Sequence, residues 1–264
     1  MKRGLAVLIA ALALPACKSA APKGPAPAPV PPDAVRGYLD QLLILRHQGD
    51  QRTLRIDANR TLVGDCDVAV LVRTAVLDKG GVRFGLETIG APRAGGRAMR
   101  CQRVQPAIQI TFPGMGASSE PESVAARVGA VLQTPEAYLA ARGVPFDLPG
   151  AAAPVEVASQ EPDANEGERS LARKVNTWPK VLLSVDTLHH DASGRVRYQG
   201  EVELVAIVGT DGRAREPRLK GGLSEAHQAA VVRALTLWRF DPARRGEAPV
   251  AARVPLRTTL KIYQ

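Results

Sequence analysis

The sequence contains few aromatic residues, cysteines and histidines, and each scarcity excludes a class of protein. Aromatic residues make up 4% of its 264 residues, and they do not alternate with basic clusters as they do on surfaces that stack nucleic-acid bases. Three cysteines and four histidines, which do not have the spacing of metal ligands, are too few for a zinc cluster. We therefore expect no nucleic-acid partner and no metal site.

The sequence also lacks the motifs of the common enzyme classes. It contains no G-x-S-x-G elbow, no phosphate-binding glycine loop and no H-E-x-x-H motif. His189, His190 and Asp191 are consecutive, but adjacent residues do not share a face of a helix or strand, so we expect a surface loop there. His227 is interpreted as a packing or solvent-edge residue. We expect neither catalysis nor a cofactor.

The apolar run at the start of the chain is too short to cross a bilayer. Lys2 and Arg3 precede an apolar run over residues 4–16, whereas a membrane-spanning helix needs about 20 residues. A charged start followed by a short apolar run is typical of a secretory signal peptide, so residues 1–16 are predicted to direct export. The net charge of +9 is scattered, and it suits anionic lipid head groups or acidic peptides.

The residues that end this run resemble the lipobox of bacterial lipoproteins. Leu14, Pro15 and Ala16 precede Cys17, and in that family the cysteine is acylated and becomes the first residue of the mature protein. The resemblance implies a lipid-anchored protein that faces the periplasm of the bacterial envelope. Lys18 favours the outer membrane over the inner one. The alternative is ordinary signal cleavage without a lipid.

The two other cysteines, Cys66 and Cys101, are predicted to form a disulfide. An even pair in an exported chain is most simply a disulfide. Closure of a loop of this size would stabilise the fold by about 3–4 kcal/mol in the chain-entropy model. The alternative is two separate buried thiols.

Composition divides the remaining chain into two folded domains and two linkers, with an overall α+β fold class. Residues 17–33 are predicted to form an extended Pro/Ala-rich tether, and residues 149–172 a flexible linker. Residues 34–148 are predicted to form a mixed α+β domain of unknown function. Residues 173–264 are predicted to form the second domain.

Local patterns predict the elements of the first domain. Helical spacing begins near Tyr38, although residues 43–45 could equally form a strand. Strands are predicted over 68–77 and 82–89 with a hairpin turn between them, and a further strand over 106–112. Two helices follow, over 121–132 and from a Thr134 cap to Gly143.

The elements of the second domain are predicted in the order β-β-α-β. A strand over 200–208 leads through a tight turn into a strand over 213–220. Ser224 is predicted to cap a helix over 225–237, and a turn near 246–249 precedes a last strand over 251–262.

This order resembles the C-terminal domain of the TonB energy-transducer family, which implies a small antiparallel sheet with one packed helix. The resemblance covers about residues 179–262 and includes a G-x-V hairpin, a D-G turn, a W-R-F-x-P segment and a G-x-x-P-V turn. The matching residues are Gly200, Val202, Asp211, Gly212, Trp238, Arg239, Phe240, Pro242, Gly246, Pro249 and Val250.

The resemblance implies binding of an envelope protein or a transporter peptide by strand addition. A last strand at the edge of the sheet would offer unpaired backbone groups to an extended peptide. Arg253, Arg257 and Lys261 on that strand are candidates to attract an acidic peptide, or alternatively to guard the edge against aggregation. Trp238 and Phe240 are interpreted as core residues.

The short apolar run separates this chain from the family members that transduce energy. Those members have an N-terminal membrane helix that docks on a proton-driven motor. We therefore expect a lipid-anchored binding protein. Two alternatives stay open: a structural envelope protein that self-associates through this domain as a homodimer, and a transducer or transport component whose partner supplies the membrane helix.

Overall fold

The fold combines helices and strands, which confirms the predicted α+β class. The structure is a computed structural model that describes residues 33–46, 55–56, 67–78, 81–94, 97–98, 107–115, 119–146, 156–190 and 196–263. The helices are α1 (Asp33–Arg36), α2 (Pro121–Val131), α3 (Pro135–Ala140), α4 (Glu166–Ala172) and α5 (Glu225–Leu235). The strands are β1 (Leu42–Leu45), β2 (Arg55–Ile56), β3 (Val68–Asp78), β4 (Gly81–Ala94), β5 (Arg97–Ala98), β6 (Ala107–Pro113), β7 (Leu132–Gln133), β8 (Val157–Ser159), β9 (Lys180–His190), β10 (Val196–Val208), β11 (Ala214–Leu219), β12 (Arg239–Asp241), β13 (Ala243–Arg245) and β14 (Ala248–Tyr263).

The strands join into one large curled sheet that runs through both predicted domains. Its neighbours follow the order β11-β10-β14-β9-β4-β3-β1-β7. β14 pairs antiparallel with β10 and parallel with β9, and β9 pairs antiparallel with β4. The C-terminal strands therefore belong to a mixed sheet, and they do not form the predicted small antiparallel sheet on their own.

The pairing of β4 with β9 depends on a close approach at Gly90. A Cβ atom at this position would lie 2.3 Å from the carbonyl oxygen of Asp186 and 2.4 Å from a methyl carbon of Val185. Arg93 then forms an ion pair with Asp186 across the same two strands. A residue without a side chain is what allows the two backbones to meet.

Two hydrophobic cores share the central strands. Val68 and Val70 of β3 face a core that is completed by α1 and α2, and Leu71 faces a second core under α5. Ile89 of β4 also enters the second core, where it joins Trp238. Because side chains alternate along a strand, β3 is buried on both faces. The cores, like the sheet, are common to the two predicted domains.

Several local predictions are confirmed, and one is wrong. The hairpin of β3 and β4 forms with Asp78 opposite Gly81, which has a φ of 132°. α3 begins at the predicted cap, where the Thr134 side chain accepts a hydrogen bond from the Ala137 N–H at 3.2 Å. Of the two interpretations that the sequence left open after Tyr38, the helix is the wrong one and the strand forms, because residues 42–45 extend as β1 between β3 and β7.

The second predicted linker, residues 149–172, is structured over its described part, 156–172. β8 pairs in parallel with β14 at residues 251–253, and α4 follows it. The Asn165 side chain accepts a hydrogen bond from the Glu168 N–H at 2.9 Å, and the Glu168 carboxylate accepts one from the Asn165 N–H at 3.3 Å, which completes a capping box. This cap and the pairing of β8 are the reasons that a segment rich in Ala, Pro and Glu orders here.

Candidate functional site

The D-G turn of the TonB-like signature is held by an internal ion pair. Both carboxylate oxygens of Asp211 accept hydrogen bonds from the Arg215 guanidinium, at 2.7 and 2.6 Å. Burial raises the pKa of Asp211, but Arg215 and Arg213 outweigh burial and leave it below its usual value. Gly212 supplies the positive φ of 67° that the turn requires. These residues stabilise the turn.

The W-R-F segment lies in the interior. Trp238 and Phe240 are buried with ring centroids 5.9 Å apart, which confirms their prediction as core residues. The Trp238 indole N–H donates to the Val185 carbonyl at 3.3 Å. Arg239 is also buried, and its guanidinium contacts Glu136 of α3 at 2.7 Å. The segment therefore joins α5 to β9 and to α3.

The remaining signature residues shape turns and strand pairs. Gly200 lies in β10 opposite Leu260, and Pro242 separates β12 from β13. Gly246 has a φ of 60° in the turn before β14, and Pro249 pairs with Arg244.

The last strand is an edge over only part of its length. β14 has β10 on one side; on the other it pairs with β8 at residues 251–253 and with β9 at residues 260–263, and no described strand pairs with residues 254–259 on that side. Arg253 forms an ion pair with Glu168 of α4 at 3.2 Å, and Arg257 forms one with Glu203 of β10 at 2.9 Å. Burial raises the pKa of the Asp186 carboxyl, and Lys261 lies close enough to oppose this rise. The three predicted peptide contacts thus interact with carboxylates of the chain itself.

On the side away from β14, β10 is covered by β11 over only part of its length. β11 covers β10 from Leu204 to Val208, and the Lys220 N–H donates to the Glu203 carbonyl at 2.8 Å. On this side of β10, no strand of the described residues pairs with the residues that precede Glu203. Because backbone groups alternate in direction along a strand, the N–H and C=O of Glu201 face this side as well. We call residues 199–202 of β10 the open segment.

The outer side of β11 is less suited to accept another strand. Pro217 lacks an N–H, and a bulge interrupts the pairing of β11 with β10 between Val205 and Ile207. Glu216 has a positive φ of 48° within the bulge. Such irregularities protect edge strands from pairing with other chains.

A cavity of about 390 Å³ lies between α5 and the strands β4 and β9. Its walls combine residues from both predicted domains. They are Glu87, Thr88 and Ile89 of β4, Leu188, His189 and His190 of β9, and Ala226, Ala229, Ala230 and Arg233 of α5. The alanines leave the space that larger side chains would fill, and two of them, Ala226 and Ala229, are exposed at the mouth.

Charged groups converge at one end of this cavity. Glu87 accepts a hydrogen bond from Arg233 at 2.8 Å and another from Arg73 at 2.6 Å. Two guanidinium groups therefore surround one carboxylate. Burial lowers the pKa of His190, the neighbouring His189 lowers it further, and Glu87 opposes the shift.

The structure corrects the interpretation of the histidine pair. His189 and His190 are the last residues of β9, and they do not lie in a surface loop. The ring of His189 meets the ring of His227 edge to face, with centroids 4.8 Å apart. No group of three His, Cys, Asp or Glu side chains within the described ranges could hold a metal ion.

The three cysteines, Cys17, Cys66 and Cys101, lie outside the described residues. The lipid on Cys17 and the disulfide between Cys66 and Cys101 therefore stay predictions.

The sequence did not predict the open segment or the cavity, because both depend on pairing between strands that are distant in the chain. The walls of the cavity come from residues 87–89, 188–190 and 226–233, which have no common local pattern.

Among the described helices, none is long and apolar enough to cross a membrane. Comparison of the chain with family models, with characterised proteins and with solved structures finds no match.

Proposed function

We propose that this chain is a lipid-anchored protein of the bacterial envelope that faces the periplasm and binds a protein or peptide partner through its TonB-like C-terminal elements. The signal-like N-terminus and the cysteine at residue 17 support the anchor. The order of β10, β11, α5 and β14 supports the TonB-like interpretation, because it follows the predicted β-β-α-β order.

The open segment of β10 is the observation that carries the binding proposal. A partner strand placed there would continue the line of β11 and would receive the backbone hydrogen bonds of Glu201. The opposite side of the open segment is paired with β14, so the segment is held in an extended conformation before a partner arrives. A strand that is already ordered loses little conformational entropy on binding.

A proline at residue 201 tests this binding mode directly. Glu201→Pro removes the one N–H that faces the partner, whereas the hydrogen bonds to β14 come from the residues on either side. We expect a photo-reactive residue at the exposed position 220 to crosslink the partner in the parent chain and in Glu201→Ala, and to lose the crosslink in Glu201→Pro. Equal crosslinking in the proline variant, at an unchanged Tm, would contradict strand addition here.

The lipid anchor is tested separately. Cells that express the chain are labelled with palmitate, and the parent chain is compared with Cys17→Ala before the inner and outer membranes are separated. We expect label that depends on Cys17 and that fractionates with the outer membrane. A chain that carries no label in the parent form would refute the anchor and leave a binding protein without a lipid.

Self-association is the second candidate, because the same open segment could pair with its copy around a two-fold axis. The crosslinking experiment distinguishes the two. A product of twice the mass of the mature chain that contains only this chain would favour the dimer, and a product that contains another protein would favour a partner.

A further inference from the structure

The cavity between α5, β4 and β9 has the composition of a small-molecule site. Its volume of about 390 Å³ lies in the lower part of the range for such sites, about 300–1,000 Å³. One wall is apolar and comprises Ile89, Leu188 and the alanines of α5, and the charged groups stand at one end. An apolar wall with a few convergent polar groups is the usual arrangement in ligand-binding cavities.

The charges at that end favour an anion. Arg233 and Arg73 both contact Glu87, and Arg73 also lies 3.9 Å from the largely exposed Asp40, so Arg233 shares its carboxylate partner with a second guanidinium. His189 lines the same cavity on the side of α5, and its imidazole can donate a hydrogen bond from a ring nitrogen. A carboxylate that enters the cavity would therefore meet donors on more than one wall.

The Glu87 carboxylate occupies the place that a ligand carboxylate would take on Arg233. If Arg233 turns from Glu87 towards a ligand, Glu87 keeps its contact with Arg73 at 2.6 Å and is not left without a counter-charge. The exchange is accessible to solvent, because the side chains of Glu87 and Arg233 are 37% and 36% exposed. The arrangement thus allows one carboxylate to replace another.

We propose that this cavity binds a small organic carboxylate with a short apolar body. Arg233 receives the carboxylate, His189 adds a hydrogen bond, and the apolar body packs against the alanines of α5 and Ile89. The site includes β4, so it requires both halves of the chain. It is separate from the open segment of β10, and it does not depend on strand addition or on a lipid anchor.

The probe for this site is 4-methylpentanoate, and its neutral amide is the matched control ligand. Imidazole signals of the full chain are followed by NMR during titration, after His→Gln variants have assigned them. We expect saturable shifts at His189 and His227 with a Kd of about 1 mM or below, and no saturation with the amide. Equal shifts with the amide, or no saturation with the carboxylate, would overturn the proposal.

Two variants with opposite expected effects test the exchange. Arg233→Gln removes the receiving guanidinium and should weaken binding about tenfold or more, whereas Glu87→Gln removes the competing carboxylate and should strengthen it about tenfold. Arg257→Gln, which removes an exposed arginine paired with Glu203, should leave the Kd unchanged. The Tm of each variant is measured alongside. Unchanged binding in Glu87→Gln would overturn the proposal even if Arg233→Gln did not fold.

Discussion

The contact of Glu136 with Arg239 allows a quantitative test of how the two halves of the chain are joined. Glu136 lies in the first turn of α3, and Arg239 follows α5 in the W-R-F segment. The two side chains meet at 2.7 Å with 30% and 6% exposure, and Arg213 adds a further contact to Glu136 at 2.8 Å. Glu136→Gln would therefore leave the buried charge of Arg239 without its carboxylate.

The expected loss follows from the burial of the pair. Removal of one partner from a fully buried pair costs about 3–5 kcal/mol, and the partial exposure of Glu136 reduces this to about 2–3 kcal/mol. For a chain of this size, that loss corresponds to a fall in Tm of about 4–12 °C. Glu203→Gln is the control, because its pair with Arg257 is 53% and 70% exposed and should contribute less than about 0.5 kcal/mol.

The pH dependence gives the same test a second readout. Burial raises the pKa of Glu136, but Arg239 and Arg213 outweigh burial, so the pKa in the folded chain lies below its usual value. A carboxyl with a lowered folded pKa stabilises the fold above its unfolded pKa of about 4.3, and this stabilisation is lost as the pH falls through the folded pKa. The difference in Tm between the parent chain and Glu136→Gln should therefore shrink below about pH 4. A Tm that falls no further than in Glu203→Gln, or a difference that persists in acid, would refute this reasoning.

Two further substitutions test the sheet and the ordered linker. Gly90→Ala should destabilise the fold by about 1–3 kcal/mol or more, because its Cβ would lie 2.3 Å from the Asp186 carbonyl oxygen. Gly129→Ala in α2, with no atom within 4 Å of its Cβ, should instead stabilise the fold by about 0.5–1 kcal/mol. Denaturant unfolding measures both free energies, and similar values for the two variants would contradict this account. Glu168→Ala should accelerate amide hydrogen exchange in α4 by about fivefold or more, because it removes the side-chain acceptor of the capping box and the Arg253 pair, whereas the exposed Glu166→Ala should not.

The sequence predicted elements well where the signal is local. The Asp78–Gly81 hairpin, the Thr134 cap and the Ser224 cap each lie within a few residues, and each forms in the structure. The capping box of α4 is also local, since Asn165 and Glu168 have the required spacing of three residues. The composition of residues 149–172, rich in Ala, Pro and acidic residues, indicated a linker instead. The capping-box signal of Asn165 and Glu168 was therefore overlooked.

What the sequence could not predict is which strands are neighbours. A strand such as β14 has the same alternation at an edge as in the middle of a sheet, and only its pairing with β8 at one end and β9 at the other decides which of its residues have a neighbouring strand on both sides. The predicted role of Arg253, Arg257 and Lys261 depended on that edge. The cavity depends on the same pairing, because β9 brings its histidines to the β4 residues of the first half.

The position of the TonB-like elements inside a larger sheet determines how their function can be studied. A fragment of residues 173–264 would lose the β4 strand that pairs with β9, the Glu136 partner of Arg239, and the Leu71 and Ile89 side chains that complete its core. The exposed edge of β9 would then offer unpaired backbone groups that are covered in the whole chain. Binding to such a fragment could occur at this artificial edge, so the open segment and the cavity have to be tested in the full chain.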